Sequence, residues 1–236
     1  MEKDYYSEIL DFSSKNNLEN VQKVLPFVRE CAYIYETNGL GAAYLNHALC
    51  VGWMLIDLRL PLAPEEMDLA ISAALCHILP EIIENFDYET KLAALNVDPR
   101  VSKIVATITR KSTGTDDDMT AFYDRIKKDR LAYMVRLVDR ANLVEQLYGT
   151  STLEAKSYIL ETKRYFLPLC IWGKEHFPEL EVPISIMMEK MRTLTQVTEI
   201  LYSKYETEEN SLNDEILALK EENSRLRGIV RGMKEE

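Results

Sequence analysis

Tyr44-Leu45-Asn46-His47-Ala48-Leu49 and Ala73-Ala74-Leu75-Cys76-His77-Ile78-Leu79-Pro80-Glu81 decide how this chain reads. Both stretches are apolar with helical spacing, and each carries one of only three histidines in the chain. Neutral imidazole is a common ligand for catalytic metals, and two helices packed side by side bring two such rings to one ion. Downstream, in Met134-Val135-Arg136-Leu137-Val138-Asp139-Arg140, Asp139 directly follows an apolar run, which holds its carboxylate against the core rather than in solvent. His47, His77 and Asp139 are therefore candidate ligands of a metal site. Each histidine also has a plainer reading, a hydrogen-bonded ring in a helical core.

Working outward, the 236 residues suffice for one sizeable core plus an appendage. Hydrophobic residues make up 47% and charged residues 28%, with only 8 Gly and 8 Pro, and this balance predicts an all-α protein. Cys31, Cys50, Cys76 and Cys170 are scattered without a CxxC pair, so neither a zinc knuckle nor a disulfide framework is indicated, which suggests a reducing cytoplasm. The start, Met1-Glu2-Lys3-Asp4-Tyr5-Tyr6, has no apolar signal core, and no apolar run is long enough to span a membrane. A net charge of -11 repels nucleic-acid phosphates, and no local basic patch offsets it. Neither membrane nor nucleic acid is an expected partner.

The spacing predicts two helices within residues 4–36, the second with a core-facing stripe of Val21, Val24, Leu25, Val28, Cys31, Ala32 and Ile34. A turn at Asn38-Gly39-Leu40-Gly41 precedes a helix over 42–60. Pro64, with Glu65 and Glu66 behind it, opens the helix that carries His77. Pro80 removes the bond to the Cys76 carbonyl, so that helix should kink or end just after His77. On a helix that continued, Glu81 would share a face with His77 and reach a metal or its water; it reads equally as a solvated carboxylate beside Glu84. Further helices are expected over 101–111, from near Met119 and over 131–148, and 153–172 closes the globular part. Asp116-Asp117-Asp118 reads as a solvated cap for the helix at Met119 rather than as a metal motif.

These pieces resemble the HD superfamily of metal-dependent phosphohydrolases, and within it the hydrolase domain of RelA/SpoT-type alarmone enzymes and their small single-domain relatives. Tyr44-Leu45-Asn46-His47 matches a Tyr-x-x-His stretch, Leu75-Cys76-His77 matches an apolar helix ending in His-Asp, and Arg136-Leu137-Val138-Asp139-Arg140 matches a Lys-Leu-Ala-Asp-Arg signature. Ile108-Thr109-Arg110-Lys111 echoes a Val-Thr-Lys stretch between the second and third motifs. The likeness covers roughly residues 20 to 175 in the family's motif order. It implies an HD-domain helical bundle over 1–180, metal ligands His47, His77 and Asp139, and a catalytic acid at Glu81. It also implies a divalent cofactor, manganese first, with zinc and iron also suited to mixed imidazole and carboxylate ligands. The family's substrates are guanosine tetra- and pentaphosphate, which makes a nucleotide the candidate ligand.

The chain departs from the family where the chemistry is done. Ile78 stands in place of the aspartate that would be a fourth ligand, and Ile82 in place of the second acid beside Glu81. Asn38-Gly39-Leu40-Gly41 lacks the two cations of the family's Arg-Lys-Ser-Gly. Leu143 occupies the position of an expected asparagine, with Asn142 displaced by one residue, or about 100° around the helix. Such losses predict impaired or absent hydrolysis, and the alternative to a bound metal is a site that holds no cofactor. Two other functions stay open: an active phosphohydrolase on a different nucleotide, with Glu81 as fourth ligand, and a purely structural coiled-coil interaction protein.

Residues 181–236 read as one long C-terminal helix with a heptad repeat from about 205. Leu212, Leu219, Leu226 and Met233 fall at d, Ile216, Asn223 and Val230 at a. Glu215 and Glu222 at g face Lys220 and Arg227 at the following e positions of a parallel partner. A homodimer through 205–236 is expected, with a helix folded back on its own globule as the alternative.

Overall fold

A helix that is apolar on every side forms only where other helices surround it. Pro64–Cys76 is such a helix: in the computed structural model, which describes residues 4–34, 41–83, 87–110, 116–147 and 150–232, every residue from Met67 to Cys76 is buried. The helices run α1 (Tyr5–Lys15), α2 (Glu19–Ile34), α3 (Gly41–Asp57), α4 (Pro64–Cys76), α5 (Leu79–Ile82), α6 (Tyr88–Ala94), α7 (Pro99–Ile108), α8 (Asp116–Ile126), α9 (Arg130–Glu145), α10 (Thr152–Glu161), α11 (Leu167–His176) and α12 (Glu181–Gly232). No strand occurs among the described residues, so the fold is all-α. No helix among them is long and apolar enough to cross a membrane.

α4 lies against α2, α3, α7 and α9. Its start follows the sequence: Pro64 occupies the first turn, and the Glu66 carboxylate accepts from the Ala63 amide at 3.2 Å. Asp68 is the one charged residue in the buried stretch Met67–Cys76, and it caps a neighbour. Its carboxylate accepts from the Val21 amide at 2.9 Å and the Asn20 amide at 3.0 Å, satisfying donors at the start of α2.

Several elements differ from their sequence expectations for local reasons. The backbone of residues 116–118 is the first turn of α8 rather than a loop ahead of Met119. The stretch 153–172, read as closing the globular part, is α10 and most of α11 joined by a π-helical turn, Thr162–Phe166. Pro168 has no N–H for the Arg164 carbonyl and its ring would press on that oxygen, so the preceding turn widens. α6 has no counterpart in the hydrophobic periodicity. The turn residues Asn38, Gly39 and Leu40 and the side chain of Glu81 lie outside the described residues, as do Glu84, Met233 and the side chains of Asn223, Leu226 and Val230.

The first part of α12 belongs to the body. Ile184, Met187 and Met191 join the core, Lys190 pairs with Glu145 at 2.7 Å, and Tyr202 Oη donates toward the Thr150 carbonyl at 2.8 Å. Lys156 and Glu206 form the last ion pair along α12 between described residues of the helix and the body.

α9 and α11 approach closely at Gly173, where a Cβ would overlap the phenol of fully buried Tyr133. That phenol donates to the Leu169 carbonyl at 3.0 Å and has no free space to yield. Gly173→Ala should lower unfolding free energy by about 1–3 kcal/mol in a urea titration. An unchanged midpoint would show that the two helices separate freely there.

Candidate metal centre

Three helices each bring one residue of the predicted trio to the same point. α3 carries His47, α9 carries Asp139, and α4 ends at its C-cap, His77. The break foreseen at Pro80 is real: two turn residues, His77 and Ile78, separate α4 from α5. All three side chains are buried, at 9%, 7% and 1% exposure for His47, His77 and Asp139. One ligand atom from each lies within 4.8 Å of the others.

Hydrogen bonds behind the rings fix which nitrogens face the centre. His77 Nδ1 donates to the Ala74 carbonyl, an oxygen that can only accept, so in the neutral ring Nε2 keeps its lone pair. His47 Nδ1 donates to Asn142 Oδ1 at 2.7 Å, and Gln146 Nε2 donates to the same oxygen at 2.8 Å. His47 Nε2 therefore also presents a lone pair. The two Nε2 atoms are 3.1 Å apart, and Asp139 Oδ1 is 3.0 Å from His47 Nε2 and 3.5 Å from His77 Nε2. Three acceptors converge on one point, which a cation, or a proton on one ring, must reconcile. The donor set of two imidazoles and one carboxylate suits a divalent first-row metal.

Asp139 divides its two oxygens between two tasks. Oδ1 faces the imidazoles, and Oδ2 is paired with Arg136. Burial works against its charge, but the Arg136 guanidinium beside it outweighs that, holding the carboxyl well below the usual carboxylate range. It is ionised at neutral pH, as a ligand must be.

The trio lines a cavity of about 680 Å³ that Arg110, Arg136, Arg140 and Glu161 also line. Arg140 is 1% exposed, its Nη2 lies 2.7 Å from Glu161 Oε2, and its guanidinium carbon sits 4.4 Å from the Phe166 ring centroid. Its Nε and Nη1 make no hydrogen bond among the described residues. Glu161 also accepts from Tyr123 Oη at 2.9 Å. Burial opposes the charge on Glu161 and Arg140 offsets that, leaving its carboxyl below its usual range.

Ile78 is fully buried in the apolar core, and Leu143, at the position of the expected asparagine, lines the cavity. Asn142 was discounted on the sequence as one residue out of place, yet it reaches His47. A signal for it existed, because Arg136, Asp139, Asn142 and Gln146 recur at intervals of three and four and form a polar stripe on one face of α9. Arg140 and Glu161 had no such signal, since their pairing joins α9 to α10. The third histidine, His176, takes no part; it stacks on Trp172 at 4.1 Å between ring centroids.

No protein-family model matches the chain. No curated protein matches it either.

Asn142→Leu removes the acceptor that sets the His47 tautomer while keeping the volume filled. It should weaken divalent-metal binding about 10–100-fold in a competition titration with a chromogenic chelator. Unchanged affinity would mean that the ring is oriented without Asn142.

Proposed function

We propose that the chain is a degenerate HD-domain protein related to guanosine tetraphosphate hydrolases. In this reading it holds a divalent ion, manganese first, at His47, His77 and Asp139, and takes a phosphate-bearing nucleotide in the adjoining cavity, with hydrolysis impaired or lost. The observation that carries the reading is the convergence of two imidazole lone pairs and one carboxylate oxygen, each fixed from behind by a hydrogen bond or ion pair. The residues quoted for the resemblance are the same three, reached independently from the sequence order.

Charge supports the nucleotide. Three arginines against two carboxylates line the cavity, an excess of one positive charge that a divalent ion raises to three, on a chain whose net charge is -11. Arg140, held by Glu161 and Phe166, keeps two buried nitrogens without a hydrogen bond among the described residues, donors that a phosphate entering the cavity would satisfy once they are uncovered. A divalent ion in the trio supplies Lewis acidity toward a phosphoryl group. Ile78 offers no lone pair beside it, and this motivates the reading of a binding site with little turnover. The four cysteines are free, which suits a reducing, cytoplasmic setting.

Elemental mass spectrometry on protein purified without chelator or nickel tests the metal. About one ion per chain is expected, absent from His77→Ala, and no ion after incubation with manganese would overturn the reading. For the nucleotide, Arg140→Met should lower guanosine tetraphosphate affinity at least about tenfold, or ~1.4 kcal/mol, with metal content unchanged. Equal calorimetric affinities for the two proteins would remove Arg140 from the site.

A further inference from the structure

The stripe of α12 that packs Met187 and Leu194 onto the body does not stop where the body stops. Leu201 and Tyr205 continue it, followed by Leu212, Ile216 and Leu219, at 37%, 57%, 59%, 46% and 62% exposure. From Thr207 to Glu221 every described side chain is exposed, so no part of the described body covers this stripe. The backbone stays helical to Gly232, roughly 40 Å of helix beyond Glu206. An unpartnered helix of that length with an apolar seam is marginal in water, because most helical stability comes from packing that seam.

We propose that this segment is a self-pairing surface, on which a second copy of the chain forms a parallel two-stranded coiled coil. The seam is Leu212, Ile216, Leu219, Asn223, Leu226 and Val230, a strict a and d pattern too narrow for a globular core face. Charge selects both the occupant and its direction. In a parallel pair Glu215 meets Lys220 and Glu222 meets Arg227, whereas an antiparallel pair sets glutamate against glutamate and lysine against arginine. Asn223 at an a position satisfies its amide only against a matching polar group at the same level, which its own twin provides in register. Because the same helix packs on α9, the pair carries two copies of the body at one end of the zipper.

Sedimentation equilibrium of the full chain at micromolar concentration should give twice the 27.3 kDa chain mass. The double variant Leu212→Glu, Leu219→Glu should sediment at the chain mass, with the metal content and thermal midpoint of the body unchanged. Asn223→Cys in an oxidising glutathione buffer should become a reducible covalent dimer, and should not do so when combined with the two glutamates. A wild-type chain that sediments as a monomer or a trimer overturns the proposal. So does a dimer that survives the double variant, and failure of Asn223→Cys to cross-link overturns the parallel register. None of these outcomes depends on the metal site.

Discussion

Two imidazole lone pairs and a carboxylate oxygen cannot face one another inside a protein unless positive charge lies among them. His47, His77 and Asp139 meet in this way, and the bonds behind them leave little latitude, since the Ala74 carbonyl, the Asn142 amide and the Arg136 guanidinium each fix one partner. Buried groups of this kind cost several kcal/mol when their requirements go unmet. The surrounding structure has to supply the compensation. It comes from α4, whose buried faces are gripped by α2, α3, α7 and α9, so that the end of α4 and the interior turns of α3 and α9 are held in place around the site.

Seen from the cavity, the same architecture separates two jobs. The trio lies on one wall, and Arg140 with Glu161, backed by Phe166, forms another, joined through α9, which carries both Asp139 and Arg140 on consecutive residues. Consecutive positions on a helix point about 100° apart, so one helix serves both walls. The π-helical turn at Thr162–Phe166 sets Phe166 against the Arg140 guanidinium, and Pro168 explains why that turn is there. Where the RelA/SpoT-type pattern would add a further carboxylate, Ile78 is packed into the core instead, which is why the proposed function stops at binding with little turnover.

Much of this was legible in the sequence. The apolar spacing, the proline and glutamates at the start of α4, and the break at Pro80 all follow from local rules, because each concerns neighbours one helical turn apart. The trio was legible because histidines are scarce and each sits on an apolar stretch. Asn142 was misjudged: its distance along the helix from a family position was measured, but its partner lies on α3, and no local rule points there. The Arg140–Glu161 pair was invisible for the same reason, as was the overlap between Gly173 and Tyr133. Pairings between helices depend on packing angles that a one-dimensional pattern does not encode. The heptad of α12 is a pattern of the sequence alone, periodic along one chain, and the structure adds to it the helical backbone to Gly232 and the exposure of Leu212, Ile216 and Leu219.

Anomalous diffraction at the manganese edge, from crystals grown in manganese, tests the central claim most directly. A single peak within coordination distance of His47 Nε2, His77 Nε2 and Asp139 Oδ1 is the predicted result. A map without a peak there, with the two Nε2 atoms still 3.1 Å apart, would show that a proton rather than a metal reconciles the three groups.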